Sequence, residues 1–123
     1  MSFLPHRKDH KGVKTYSHVR APKQEKESAS RFGGHTVKGS GSGQEKGDVR
    51  VTGICRIECK TTLKKSFSVT RDMVQKIEDA ALMTGEVPAI QIEFLDDRGT
   101  PEHSLVVVPT YVLDQICNQS QNK

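Results

Sequence analysis

The stretch GDVRVTGICRIECK, residues 47–60, decides the fold of this chain. Val49 and Val51 alternate with polar neighbours, Thr52-Gly53 supplies a turn, and Cys55, Ile57 and Cys59 alternate again. The segment therefore reads as a hairpin of two strands, 48–52 and 54–61. Side chains alternate faces along a strand, so Glu58 and Lys60 point one way while Cys55, Ile57 and Cys59 point the other, into a core. A carboxylate and an ammonium then share a surface backed by buried residues, with Asp48 opening the neighbouring strand. Such a surface suits metal-assisted chemistry.

Downstream, Lys64-Lys65 forms a polar corner and residues 66–69 a short strand or extended entry. Thr70 is a good N-cap, although Met73 stands where a capping box would carry Glu or Gln. Met73, Val74, Ile77, Ala80 and Ala81 then recur at amphipathic spacing, which predicts a helix to about residue 84, stopped by Gly85. PAIQIEFL (88–95) is a strand, DDRG (96–99) its turn, and residues 104–108 a further strand. That last strand is apolar almost throughout, which predicts cover on both faces. Pro109 introduces a short helix through Tyr111, Val112, Leu113 and Ile116, and residues 119–123 read as a frayed tail.

Upstream, GSGSGQEKG (39–47) is a loop with no side chain large enough to build a core. It is either a plain linker or a loop that lets a phosphate backbone approach, with Ser40, Ser42 and Lys46 as donors. No helix carrying Gly-Lys-Ser/Thr follows, so it is not a P-loop. KQEKESASRF (23–32) is helix-compatible, with Pro22 suited to the first helical position and Gly33-Gly34 to the end. Glu25 and Ala29 lie one turn apart, so both can face inward. Residues 1–22 show no periodicity and read as a flexible arm. The expected organisation is an arm (1–22), one domain (23–118) and a tail, with a core of roughly 75 to 90 residues.

Only 33% of the residues are hydrophobic and the net charge is +4. Residues 1–26 carry Arg7, Lys8, Lys11, Lys14, Arg20, Lys23 and Lys26 against Asp9 and Glu25, seven minus two, or +5. A basic arm beside a near-neutral domain points to a polyanion, DNA or RNA, unless it is only a solvated tail. Three cysteines, an odd number with no zinc-type spacing, argue against a disulfide framework and a structural zinc site. No run approaches the ~20 apolar residues of a membrane span, and the Met1 end lacks the apolar block of a signal peptide. The expectation is a soluble, cytoplasmic protein.

The order is helix, three strands including the hairpin, helix, strand, strand, short helix. That is an α/β layout with a mixed central sheet, in which the middle helix returns the chain parallel to an earlier strand. Asp48 and Glu58 then sit on adjacent strands, close enough to bind one divalent cation. Mg²⁺ takes oxygen ligands and keeps several waters, so two carboxylates and the Cys59 carbonyl suffice beside a scissile phosphate. Lys60 would orient or deprotonate the attacking water and offset transition-state charge. The alternative is a cross-strand salt-bridge set with no function.

The chain resembles the PD-(D/E)XK nuclease superfamily over residues 24–108, and within it the small archaeal and phage-type Holliday-junction resolvases. The resemblance rests on the helix with Glu25 and Ala29, the GG and GSGSG loop, GDV, RIECKTT, the Ser-Phe-Ser segment and a helix ending TGEVPAIQIEF, in that order. It implies a restriction-endonuclease-like core of αβββαβ order. It implies Asp48, Glu58 and Lys60 as the catalytic set, with Glu25 as the acid of the first helix and a further metal ligand; Glu27 competes for that role. A loop serine, Ser40 or Ser42, would assist. Some relatives carry Gln early in the helix after the lysine motif, where this chain has Met73, which puts one auxiliary hydrogen bond in doubt.

The resemblance further implies Mg²⁺, with Mn²⁺ as substitute, a homodimer with one site per strand cut, and a role in DNA recombination or repair in a bacterial or phage-infected cell. DNA-contacting candidates are Arg20 and Lys23, Lys38, Ser40, Ser42 and Lys46 of the loop, and Lys64 and Lys65 at the corner. Two alternatives stand beside the resolvase reading. One is another nuclease of the superfamily, a repair or restriction-like nickase; the other is a non-catalytic nucleic-acid-binding protein on the same scaffold.

Overall fold

The computed structural model describes residues 16–37 and 48–121. Lys38, Ser40, Ser42, Lys46 and the first fifteen residues of the expected arm lie outside them. Eight elements follow in order: α1 (Tyr16–Phe32), β1 (His35–Thr36), β2 (Val49–Val51), β3 (Cys55–Thr62), α2 (Arg71–Leu82), β4 (Val87–Leu95), β5 (Pro101–Val107) and α3 (Thr110–Gln121). This is an α/β fold with one five-stranded mixed sheet, ordered β1-β2-β3-β4-β5. β2 and β3 pair antiparallel as the expected hairpin, with Val49 opposite Ile57. β4 returns parallel to β3 after α2, because parallel neighbours need a crossover.

The two-residue alternation of β3 sorts the core into two clusters. Ile57 and Cys59 pack with Val49, Ala89 and Ala29 beneath α1. On the other face Ile90 and Ile92 pack against Ile77, with Phe67, Met73, Val74 and Phe94 around them. α2 starts as its sequence predicts, with the Thr70 hydroxyl accepting from Met73 N–H at 3.2 Å. It ends at Gly85, whose φ of +70° favours glycine, and Glu86 N–H bonds back to the Ala81 carbonyl. Gly34 is needed for another reason: a Cβ there would clash with the Arg50 carbonyl of β2. Residues 66–69 are extended coil, not a strand.

Three expectations need correction. α1 begins at Tyr16, so residues 16–22 belong to the helix and Pro22 lies inside it instead of at its start. A proline there removes one helical hydrogen bond and crowds the preceding turn. The lost stability is offset by Arg20, whose guanidinium donates to both oxygens of Glu93 on β4, at 2.7 and 2.9 Å, and also pairs with Glu27. Arg20 is accordingly a clamp between α1 and the sheet, a structural role beside the DNA contact expected of it.

The third correction concerns β5, which is exposed along its whole length where cover on both faces had been expected. Among the described residues it is an edge strand, paired only to β4. α1 covers β1 to β3, α2 covers β3 and β4, and α3 makes no extensive packing contact with another described element. Leu105 is 52% exposed, and Tyr111, Leu113 and Ile116 of α3 are exposed as well. No described helix is long and apolar enough to cross a membrane.

Candidate active site

β3 outruns β2 at one end, and the site is built there. The last β2–β3 register pair at this end is Val49 with Ile57, so among the described residues Cys59 has no strand partner on that side. Its N–H needs an acceptor, because an unpaired buried donor is costly. The Asp48 carboxylate supplies one, with Oδ2 accepting from Cys59 N–H at 2.8 Å. One residue of an extended strand aims its N–H and C=O at the same neighbour, so the Cys59 carbonyl also faces this side. Asp48 is thereby held against the strand that carries Glu58 and Lys60.

Glu58 and Lys60 share a face as their spacing predicts, with Lys60 Nζ 3.3 Å from Glu58 Oε2. Both are partly exposed, so the pair is reachable from solvent. Glu25 reaches the same place from α1. Ala29, one turn further along, is buried against Cys59, and this turns Glu25 inward. Glu27 instead faces Arg20 on the other side of the helix, so Glu25 is the α1 acid that geometry joins to the set. Gln24 beside it is 1% exposed, and its amide donates to the Lys60 carbonyl at 3.1 Å. That bond ties the helix bearing Glu25 to the strand bearing Lys60.

The electrostatics follow from this crowding. Burial raises the Glu25 carboxyl above its ordinary range, and the charges of Asp48 and Glu58 raise it further. Asp48 is raised by burial, partly opposed by the Cys59 N–H and the Lys60 ammonium. Glu58 is raised by burial and by Asp48, partly opposed by Lys60 and Lys76. Burial and the surrounding acids push the Cys59 thiol up to about 12, so it stays protonated and serves as a core side chain. Three raised carboxyls against one ion-paired lysine, with Lys76 acting on Glu58 from further off, make a site short of positive charge.

Mg²⁺ is a hard cation that uses one or two carboxylates and keeps several waters. Asp48 and Glu58, with the Cys59 carbonyl between them, fit that donor set. Among the described residues no group of three His, Cys, Asp or Glu side chains is placed to hold a metal ion together. Lys23 is exposed on α1, and Lys64 and Lys65 are exposed at the corner after β3. They flank the sheet without joining the acidic set.

Comparison with known proteins leaves these residues to speak for themselves: no family model, no curated protein and no solved structure matches the chain. One neighbour of the site was not anticipated from sequence. A cavity of about 210 Å³ opens between β3 and α2, lined by Glu58, Lys60, Thr70, Asp72, Met73 and Lys76. Its signal was the spacing of Met73 and Lys76, three apart on a helix and therefore on one face. Gln24 gave no such signal, because a polar residue on an amphipathic helix reads as solvent-facing.

Proposed function

We propose that this protein is a Mg²⁺-dependent, structure-selective DNA endonuclease of the Holliday-junction resolvase type, on a PD-(D/E)XK core. The observation that supports it most is the convergence of Asp48, Glu58 and Lys60 at the open end of β3, with Glu25 turned in from α1. A salt-bridged sheet surface would leave its acids at or below their ordinary range. Here burial raises all three, and the charges of neighbouring acids raise Glu25 and Glu58 further, a condition that a bound cation would relieve.

A bound Mg²⁺ would supply the charge that the acids lack and polarise the scissile phosphate. Asp48 and Glu58 would hold it through carboxylate oxygens, Asp48 kept in position by the Cys59 N–H. Lys60, steadied by Glu58 and by the Gln24 bond to its own carbonyl, would orient the attacking water. Its ammonium would also offset charge gathering on the phosphate oxygens. Water attacks phosphorus in line and gives up a proton to solvent, one P–O bond forms as the opposite P–O bond breaks, and the leaving oxygen takes up a proton from solvent. On this reading two copies act together, one site for each strand cut.

The test compares cleavage of a synthetic four-way junction, a linear duplex and a flap by wild type and Asp48→Ala in Mg²⁺. Paired, symmetric nicks near the crossover, lost in Asp48→Ala, are the expected result. Equal cutting of linear duplex would point to a repair or restriction-like nickase. Salt-sensitive binding without cutting, unchanged in Asp48→Ala and Lys60→Ala, would leave only a nucleic-acid-binding scaffold.

A further inference from the structure

We infer that the cavity between β3 and α2 seats the DNA sugar–phosphate unit next to the one being cut, and that Lys76 is its phosphate-holding residue. This rests on the nuclease reading and adds to it a binding residue on an element that carries no member of the acid-lysine set. Four charged side chains line the cavity, Glu58 and Asp72 against Lys60 and Lys76, so its own charge is zero. A divalent cation on Asp48 and Glu58 makes it positive. The cavity would therefore accept a phosphodiester when the metal is in place and discourage one when it is not.

Lys76 is the residue able to do this on the α2 wall. It lies close enough to Glu58 for its charge to act on that carboxylate. It is exposed and makes no ion pair among the described residues, whereas Lys60 is committed to Glu58. Met73, beside it in the lining, offers an apolar surface and no donor, so the electrostatic work on this wall falls to Lys76. The Thr70 hydroxyl accepts from Met73 N–H, which leaves its own hydrogen to donate to a phosphate oxygen.

Size points the same way. Sites that enclose whole ligands run to roughly 300–1,000 Å³. At about 210 Å³, this space suits one unit of a chain that passes through.

The experiment uses the full chain with Lys76→Gln and Lys76→Arg, the synthetic four-way junction as probe, and Mg²⁺ present. Lys76→Gln should raise KM about five- to tenfold, and the slope of log binding against log salt should shrink by about one contact. kcat at saturating junction should stay within about twofold, as expected when uniform binding is lost. Lys76→Arg should restore most of the affinity, which a merely structural role would not require. Because the side chain is exposed, the thermal midpoint should not move. An unchanged KM and salt slope, or an effect confined to kcat, would overturn the inference while leaving the nuclease reading standing. A wild type that neither cuts nor binds the junction would overturn both.

Discussion

The two ends of β3 carry acids in opposite conditions. At the Cys55 end, the fully buried Glu86 carboxylate accepts from Arg50 Nε at 2.9 Å, Arg56 Nε at 3.0 Å, Gly53 N–H at 2.7 Å and Thr84 Oγ1 at 2.8 Å. Burial alone would raise its pKa, yet those donors bring it down to about 2. At the Lys60 end, Glu25, Asp48 and Glu58 have one close lysine among them, and all three are raised. The first cluster is a finished structural joint, fastening the hairpin tip to the start of β4. The second is an unbalanced set that a cation would complete. Acid count alone would not separate them; the number of donors does.

The largest effect should come from breaking the finished cluster. Glu86→Gln removes the charge that two arginines share in a buried place, and should cost about 3–5 kcal/mol in denaturant unfolding. A loss under about 1 kcal/mol would mean the joint is not a stabilising one.

Next comes the unbalanced end, where a substitution should separate stability from activity. Asp48→Asn keeps an acceptor for Cys59 N–H but removes one crowded charge. It should abolish junction cleavage while raising the metal-free unfolding midpoint at neutral pH. A lower midpoint would show Asp48 to be a structural acid like Glu86.

The pH dependence sharpens the same contrast, with opposite signs. Acids whose folded pKa is raised favour the folded state fully at low pH, and that advantage is lost as pH rises through their folded values. Metal-free wild type should therefore lose stability as pH rises above the ordinary carboxylate range, and added Mg²⁺ should restore it. Glu86 is depressed, so its contribution is present above the ordinary glutamate range and lost as pH falls toward about 2. Thermal unfolding at a series of pH values, with and without Mg²⁺, reads both limbs. No Mg²⁺ dependence above pH 6 would remove the cation from the acidic end.

The smallest effect should be at β5. Leu105, half exposed on the edge strand, lies opposite Ile92 of β4, which is 4% exposed. Leu105→Ser should change the stability of a single copy by no more than about 0.5 kcal/mol. Ile92→Ala should cost about 2–5 kcal/mol. Equal losses at the two positions would mean that β5 is covered in solution.

The sequence alone determined the parts that depend on near neighbours. The hairpin of 47–60 follows from two-residue alternation and a Thr-Gly turn, and α2 from its spacing, its Thr70 cap and its Gly85 stop. The sharing of one face by Glu58 and Lys60 follows from strand geometry, and the inward turn of Glu25 from its spacing to Ala29. Only the tertiary structure decided which strand lies at the edge. An apolar run such as Leu105 to Val108 reads the same whether helices cover it or not, because burial is set by where distant elements pack. The same holds for α1, which runs through Pro22 because Glu93, 73 residues from Arg20, clamps it. It holds for the two acid clusters as well: whether a carboxylate meets four donors or two other carboxylates depends on residues brought together from separate strands and helices.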